Sequence, residues 1–381
     1  MKIAMLAPFE ERVPPVKYGG TELVIYNLVE QLVKMGHEVT LLASGDSLTS
    51  AELVKIFPTS IRSNPDIKDM NLRNAYKFMG VGRVVDYLRN NKFDVIHNHI
   101  GWRFLPFQNL LDVPVVTTLH GPLDVPYQQK VYGAYADSNF ISISLSQRKP
   151  MPDLNFIANV YNGLEIEKFK QNYKPKDYFS FLGRMSPEKG PVQAIQIAKK
   201  AGVKLVMAAK VDLADKEFFE SEVKPLIDDD QVRFIGEVDH DGKIELLRNS
   251  KGLIAPIQWE EPFGLFFTEA MICGSPVFAM RRGSVPEIVV DGKTGFICSN
   301  EEEMVEKIKL VDKISRKDCF EHVKNNFSSE RMANGYLEAY KKAMDKKAAI
   351  FPKLYKKSKK MFQLFVSDKK DEHDEGFLAK E

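Results

Sequence analysis

The sequence predicts an α/β protein made of two units, each built on a parallel sheet. Short apolar runs alternate with longer amphipathic runs, and strands that alternate with helices in this way form parallel sheets with helical crossovers. The alternation begins again after a polar stretch at 165–177. A length of 381 residues, at about 150 residues per domain, also allows roughly two domains.

In the first half, the apolar run at 2–6 predicts a buried strand. Residues 21–35 place their apolar side chains on one helical face, and Gly36 ends that helix. Apolar and β-branched residues cluster again in four runs, which predict strands at 38–43, 94–97, 113–120 and 139–145. Helical stretches between most of these runs supply the crossovers.

In the second half, strands predicted at 178–185 and 203–210 flank a helix at 192–201. Further apolar runs predict strands at 232–238, 251–257 and 275–280. The chain is therefore expected to form two α/β halves joined near residues 165–177.

The composition is that of a soluble globular protein, with 44% hydrophobic and 28% charged residues. Lysine and arginine number 54 and aspartate and glutamate 52, so the net charge is only +2. Nucleic-acid binding needs a basic field over much of the surface. Nucleic acid is therefore not expected as a partner.

The expected location is the cytoplasm. The three cysteines, Cys273, Cys298 and Cys319, cannot all pair and have no CxxC spacing, so neither a disulfide framework nor a structural zinc site is expected. The N-terminal apolar run is too short for a signal peptide, and no run approaches the roughly 18 apolar residues of a membrane span.

The first candidate ligand site is the turn after the first strand. Ligands of parallel sheets bind beyond the carboxyl ends of strands. Gly19 and Gly20, flanked by Lys17 and Thr21, would let the backbone approach a phosphate, and the helix that follows offers free N–H groups. Taken alone, the glycine pair is explained better by a plain turn.

The second candidate is the loop at 183–190, which also follows a strand and precedes a helix. Arg184 and Lys189 lie five residues apart across it, so both cations can converge on one anion. A diphosphate, with about two to three negative charges, suits such a pair. The alternative is two solvated surface charges.

The third and most specific candidate is the segment at 261–277, in which a helix begins near Gly264. Backbone groups at a helix N-terminus are suited to a phosphate, and those expected to face it belong to Phe263, Gly264 and Leu265. Glu261 and Glu269 would accept hydrogen bonds from sugar and ribose hydroxyls. The alternative is an amphipathic helix with solvated glutamates.

Three histidines stand at predicted strand ends. His97 and His99 are two residues apart and would share a face of their strand. A metal site is disfavoured because no cysteine or acidic partner has a clear ligand spacing. His120, which precedes a glycine, is the best candidate for a hydrogen bond to substrate.

Two further patterns imitate known motifs. The end of a P-loop is imitated at 292–294, but Glu287 stands where the first glycine is required. Asp239 and Asp241 imitate an Asp-x-Asp metal-binding motif. Asp239 is instead expected to cap the helix from Gly242.

Together these motifs resemble those of the retaining glycosyltransferases with two Rossmann-like domains, the GT-B type, and specifically family four. The resemblance extends over roughly residues 1–345. It is carried by KYGGTE at 17–22, DVIHNH at 94–99, TTLHG at 117–121, VYNGLEIEKF at 160–169, GRMSPEKG at 183–190 and EPFGLFFTEAMICGSPV at 261–277. The set in this order is far more specific than any single member.

The resemblance implies an acceptor-binding domain at 1–168, a nucleotide-sugar-binding domain at 169–328 and a helix at 329–345 that crosses back to the first domain. Catalytic roles are implied for His120 on the transferred sugar, for Arg184 and Lys189 on the diphosphate, and for Glu261 on the donor sugar. Donor binding is implied for the N–H groups of Phe263, Gly264 and Leu265 and for Glu269 on the ribose. Gly19 and Gly20 are implied to approach either the donor diphosphate or the acceptor.

The implied reaction moves a hexose from a nucleotide-diphosphate sugar to an acceptor hydroxyl with retained configuration. A UDP-sugar is favoured over GDP-mannose, the acceptor is a glycolipid precursor or a saccharide, and neither a metal nor another cofactor is expected. Two alternatives stay open, a nucleotide-sugar epimerase on the same fold and a non-catalytic module that binds nucleotide sugars.

The last segment, at 346–381, is outside the resemblance. Between Lys346 and Lys370 there are nine lysines and one aspartate, and the final residues are acidic. As an amphipathic helix, residues 346–366 would have an anionic membrane surface as partner. The alternatives are a helix packed on the first domain or a disordered tail.

Overall fold

The computed structural model describes residues 1–17 and 19–348 and shows two domains, each built on a parallel sheet. The first sheet consists of β1 (Lys2–Leu6), β2 (Glu38–Ser44), β3 (Glu52–Phe57), β4 (Val95–Asn98), β5 (Val115–Thr118), β6 (Asn139–Ser142) and β7 (Phe156–Asn159). Their order is β3-β2-β1-β4-β5-β6-β7, with every pairing parallel. The helical elements of this domain are α1 (Gly20–Lys34), α2 (Met70–Asn90) and α3 (Pro126–Ala134), with 3₁₀ turns at Gly101–Arg103, Leu105–Leu110, Ser146–Arg148 and Ile166–Lys168.

The second sheet consists of β8 (Phe179–Arg184), β9 (Leu205–Lys210), β10 (Val232–Phe234), β11 (Leu253–Ala255), β12 (Val277–Met280) and β13 (Gly295–Cys298). Their order is β10-β9-β8-β11-β12-β13, again all parallel. The helices are α4 (Pro191–Ala201), α5 (Lys216–Phe218, continued by a π turn at Phe219–Val223), α6 (His240–Asn249), α7 (Leu265–Ile272), α8 (Val285–Ile288), α9 (Glu301–Ile308) and α10 (Arg316–Asn326). Short 3₁₀ turns lie at Pro187–Lys189, Leu213–Asp215, Lys224–Leu226 and Val311–Lys313.

The predicted fold class is confirmed, but three strands were missed. They are β3, β7 and β13, and each is the edge strand of its sheet. An edge strand pairs on one side only and need not be a continuous apolar run. β3 carries Glu52 and Lys55 among its six residues, and β7 is only half-buried, so neither has the pattern of a central strand.

Side-chain caps fix where several helices begin. Asp69, Asp239, Asn300 and Ser315 each accept a hydrogen bond from a backbone N–H of the first helical turn. Each bond satisfies one of the donors that a helix leaves free at its start. The predicted cap by Asp239 is confirmed by a 2.9 Å hydrogen bond from the N–H of Gly242, although the helix begins at His240 and not at Gly242.

The last described helix, α11 at 329–348, packs against the first domain. Its residues Met332, Tyr336 and Tyr340 are buried in the same apolar cluster as β1 and α1. The Tyr340 hydroxyl lies 2.7 Å from Nδ1 of His97, which belongs to β4. The chain thus leaves the first domain, forms the second and returns to the first.

Gly163 lies where this return begins. Its carbonyl accepts a hydrogen bond from Asn27 of α1 at 2.9 Å, and its N–H lies 3.0 Å from the sulfur of Met332. A Cβ at this position would lie 2.5 Å from the carbonyl oxygen of Ser328 and 2.8 Å from Cβ of Met332. Only glycine allows the first domain and α11 to approach this closely.

We expect Gly163→Ala to destabilise the protein by about 1–3 kcal/mol, because a backbone carbonyl and a buried helix must move to admit the methyl group. The measurement is the free energy of unfolding in urea. Gly82→Ala is the control, since Gly82 lies inside α2 with ordinary backbone angles and nothing within 4 Å of the added atom. The free energy of unfolding of this control should rise by about 0.5–1 kcal/mol, because alanine is favoured over glycine inside a helix. Equal effects of the two substitutions would contradict the packing described here.

Candidate functional site

The carboxyl ends of both sheets open onto one cleft between the domains. Residues that follow β1, β5, β6, β7, β8, β10 and β11, together with the last residues of β8 and β9, line a cavity of about 410 Å³ there. In parallel sheets the loops after strands are where ligands bind. All ten residues for which a catalytic or donor-binding role was expected line this cavity, namely Gly19, Gly20, His120, Arg184, Lys189, Glu261, Phe263, Gly264, Leu265 and Glu269.

A buried ion pair lies at the centre of the cleft. Nζ of Lys189, in the turn after β8, contacts Oε2 of Glu261, and the two side chains are only 11% and 8% exposed. The indole N–H of Trp259 donates a second hydrogen bond to the same carboxylate oxygen at 3.1 Å. The ammonium group also lies 5.0 Å from the ring centres of Trp259 and Phe266. The ammonium group is thus nearly enclosed by protein, where its field is screened less than in water.

Arg184 lines the same cavity from the last position of β8. Its guanidinium contacts Glu188, and its Nε lies 2.9 Å from Oδ2 of Asp215. Arg184 and Lys189 therefore share the cleft, as expected, but each also has carboxylate partners of its own. Glu188 and Asp215 orient the guanidinium, and burial raises the pKa of Asp215 above its ordinary value.

The start of α7 offers backbone donors to the cavity. Gly264 precedes the helix with φ of 76°, and no side chain caps it. A Cβ at Gly264 would overlap the ring of Phe267, so glycine is required there. Among the described residues, the N–H groups of Phe263 and Leu265 have no hydrogen-bond partner, and neither has that of Gly264. Such groups form a site for an anion.

Glu269 lies one turn further along α7 and is 4% exposed. Its Oε1 contacts Nζ of Lys243, which belongs to α6. Lys243 also lines the cavity and was not predicted. The ion pair compensates the burial of the carboxylate, and its second oxygen has no partner in the described part of the chain that could compete with a ligand.

On the opposite wall, α1 begins at Gly20, and Leu265 of α7 would lie 3.5 Å from a Cβ on that glycine. The starts of two helices thus face each other across the cleft. Lys17, just before this turn, lies 4.0 Å from Glu237 of the second domain.

Two residues in the first domain's wall were not predicted as ligands. Glu22, in the first turn of α1, is 7% exposed, and burial raises its pKa to about 7. Oδ1 of Asn162 is buried without a partner among the described residues. Both residues belong to motifs that carried the resemblance, KYGGTE and VYNGLE, but their polar groups gave no separate signal.

The three histidines form a chain of contacts rather than a common ligand set. Nε2 of His97 lies 2.7 Å from the Thr118 hydroxyl, so both of its nitrogens have structural partners. Nδ1 of His99 lies 2.7 Å from Nε2 of His120. Burial lowers the pKa of His120 from its ordinary value of 6.5 to about 4, and burial also lowers the pKa values of His97 and His99 well below 6.5. Only His120 lines the cavity.

Glu287, noted in the sequence only because it interrupts a P-loop pattern, joins the domains. Its two carboxylate oxygens accept hydrogen bonds from the N–H groups of Leu145 and Ser146, both at 2.7 Å. The hydroxyl of Tyr161 donates to it at 3.0 Å. Nothing in the local sequence around 287 indicates this contact, because its partners lie about 140 residues earlier.

No group of three or more His, Cys, Asp or Glu side chains within 1–17 and 19–348 is placed to hold a metal ion. Over the same residues, no helix is long and apolar enough to cross a membrane. The expected membrane-binding segment at 346–366 lies outside the described residues, apart from its first three positions.

The low pKa of His120 predicts a pH dependence of stability. The unfolded chain takes up a proton on this ring near pH 6.5, whereas the folded protein resists doing so until about pH 4. The unfolded state therefore binds more protons in that window, and the free energy of unfolding falls as the pH falls through it. In His120→Asn this decline should be shallower, as measured by urea unfolding at several pH values. Parallel curves for the two proteins would show that His120 is not held neutral.

Two family models match this chain in order. The model described as Glycosyltransferase Family 4 matches residues 18–148, and the model described as Glycosyl transferases group 1 matches residues 164–325. The two matches together cover well over half of the chain and take in both domains.

Individual proteins agree with these matches. The chain is 25% identical to an uncharacterised glycosyltransferase of Methanocaldococcus jannaschii, over 86% of this chain and 95% of the relative. It is also 25% identical to a phosphatidyl-myo-inositol mannosyltransferase of Mycobacterium tuberculosis, over 82% and 86%. An Anabaena protein solved in complex with UDP and glucose has the same fold, with a TM-score of 0.67 at 17% identity over 90% of this chain and all of that one. The chain therefore belongs to glycosyltransferase family 4, and its two parallel-sheet domains have the GT-B architecture.

Proposed function

We propose that this glycosyltransferase moves a hexose from a nucleotide-diphosphate sugar to an acceptor hydroxyl with retained anomeric configuration and without a metal ion. The observation that carries the proposal is the arrangement of positive groups in one cleft. Arg184, Lys189 and the free N–H groups at 263–265 line a single cavity. A diphosphate leaving group is the anion that such a set fits best.

A UDP-sugar is the favoured donor, and GDP-mannose is the next. The similar Anabaena structure holds UDP and glucose, and the mycobacterial relative is named as a mannosyltransferase that acts on a phosphatidyl-inositol. These names support a hexose donor and an acceptor that is lipid-linked or a saccharide. The proposed setting is glycolipid or cell-surface polysaccharide synthesis at the cytoplasmic face of a membrane.

The chemistry follows from the positions of the charges. As the bond between the sugar and the diphosphate breaks, negative charge grows on the departing oxygen, and preorganised donors lower the energy of that transition state. Lys189 needs no reorganisation because Glu261 and two aromatic rings already hold it. The acceptor hydroxyl attacks from the face that the diphosphate leaves, and its proton passes to an oxygen of the departing phosphate.

Residues around this centre hold the two ends of the donor. Glu269 accepts hydrogen bonds from the ribose hydroxyls, while Glu261 and His120 contact the transferred sugar. Gly19 and Gly20 bring the backbone of the first domain close to the diphosphate or the acceptor. Closure of the domains over the donor would exclude water, which protects the activated sugar from hydrolysis.

We expect Arg184→Ala and Lys189→Ala each to lower kcat by about 10²–10³, the usual cost of removing one preorganised donor to a developing anion. The measurement is steady-state release of the nucleoside diphosphate in the presence of acceptor. Lys200→Ala serves as a matched control, because Lys200 lies on the helix after the same loop but is exposed and outside the cavity.

The control should keep full turnover. A variant of Arg184 or Lys189 that also retains near-full turnover would remove that residue from the mechanism. Because Lys189 compensates the buried Glu261, the melting temperature of each variant is recorded in parallel to separate loss of folding from loss of catalysis.

A further inference from the structure

The contacts of His99 determine which ring nitrogen of the neighbouring His120 carries the proton. His99 is the residue after β4 and is 4% exposed. Its two ring nitrogens have different partners. Nδ1 lies 2.7 Å from Nε2 of His120, whereas Nε2 lies 3.1 Å from the sulfur of Met5.

A thioether sulfur can only accept a hydrogen bond. If Nε2 of His99 were unprotonated, its lone pair would face the lone pairs of the Met5 sulfur, and a buried acceptor would be left without a donor. The proton of neutral His99 therefore belongs on Nε2. Burial lowers the pKa of both His99 and His120, so each ring carries one proton at neutral pH.

With its proton on Nε2, His99 presents Nδ1 as an acceptor to His120. The contact at 2.7 Å then requires that His120 donate from its own Nε2. The remaining nitrogen of His120, Nδ1, is left unprotonated. The described residues give it no hydrogen-bond partner, and the side chain lines the cleft.

We propose that Met5 and His99 are positioning residues that hold His120 in the tautomer whose free nitrogen accepts a hydrogen bond from a hydroxyl of the transferred sugar. The inference rests on the proposed function, in which His120 contacts that sugar. The inference adds the direction of this hydrogen bond, in which the sugar hydroxyl donates and the ring nitrogen accepts. A hydroxyl can donate to this nitrogen, whereas a carboxylate at the same place on the sugar has only acceptor atoms and would be rejected.

The direct test is ¹⁵N NMR of the full chain labelled at histidine, since ring nitrogen shifts distinguish protonated from unprotonated positions. His99 and His120 should both carry their proton on Nε2 at neutral pH. Resonances are assigned with His99→Asn and His120→Asn. A proton on Nδ1 of His120 in the wild-type protein would overturn the inference, whether or not the protein transfers a sugar.

Met5→Leu keeps the volume of the side chain but removes the acceptor. In this variant the Nδ1-protonated form of His99 should become populated. The KM for the nucleotide-sugar donor should rise about 2- to 10-fold, which corresponds to the loss of one neutral hydrogen bond. The change in kcat should be smaller. Met304→Leu, at a buried methionine of α9 in the second domain, should change neither. Unchanged tautomers in a folded Met5→Leu, or changed tautomers with an unchanged KM, would also overturn it.

Discussion

Every strand of both sheets runs parallel to its neighbours, and the position of the site follows from this constraint. A parallel sheet has all its carboxyl ends at one edge, so the loops that follow the strands gather there. Because the two sheets turn these edges toward each other, the loops after β1, β5, β6, β7, β8, β10 and β11 meet in one cleft. Residues that are more than a hundred positions apart in the chain thereby form a single site.

The second determinant of the site is that its charges are buried in pairs. An isolated buried charge is costly, so Lys189 is matched by Glu261 and Glu269 by Lys243. The pairing offsets the cost of burying these charges, and their fields are screened less there than at an exposed surface. The free N–H groups at the start of α7 add positive potential without adding an unpaired ion.

The domains are joined by contacts that differ in kind. On one side, Glu287 accepts hydrogen bonds from the loop after β6. On the other, α11 returns to the first domain, where Tyr336 and Tyr340 reach Thr118 and His97. The same buried polar network extends through His99 to His120, so the returning helix supports the wall of the cleft from behind.

The sequence predicted the fold class, every central strand and ten of the residues that line the cleft, because each of these residues lies at the end of a strand or in the segment that follows one. The partners of those residues could not be predicted. Lys189 and Glu261 are 72 positions apart, and the sequence does not show that they pair, nor that Arg184 contacts Asp215. Edge strands such as β3 were missed because one-sided pairing imposes no continuous apolar pattern. The identities of the donor base and of the acceptor depend on the shapes of loops, which no local sequence pattern predicts.

The central claim is that the cleft binds a nucleotide-diphosphate sugar through Glu269 and the cations around it without a metal. Titration calorimetry of UDP, GDP, ADP and TDP in the presence of EDTA tests it most directly. One nucleotide should bind the wild-type chain with a stoichiometry of about one, and Glu269→Ala should weaken binding about 10- to 100-fold, the size of a hydrogen bond to a charged group. Glu302→Ala, at an exposed position of α9, should bind like the wild type. Failure of all four nucleotides to bind, or binding that EDTA abolishes, would contradict the account.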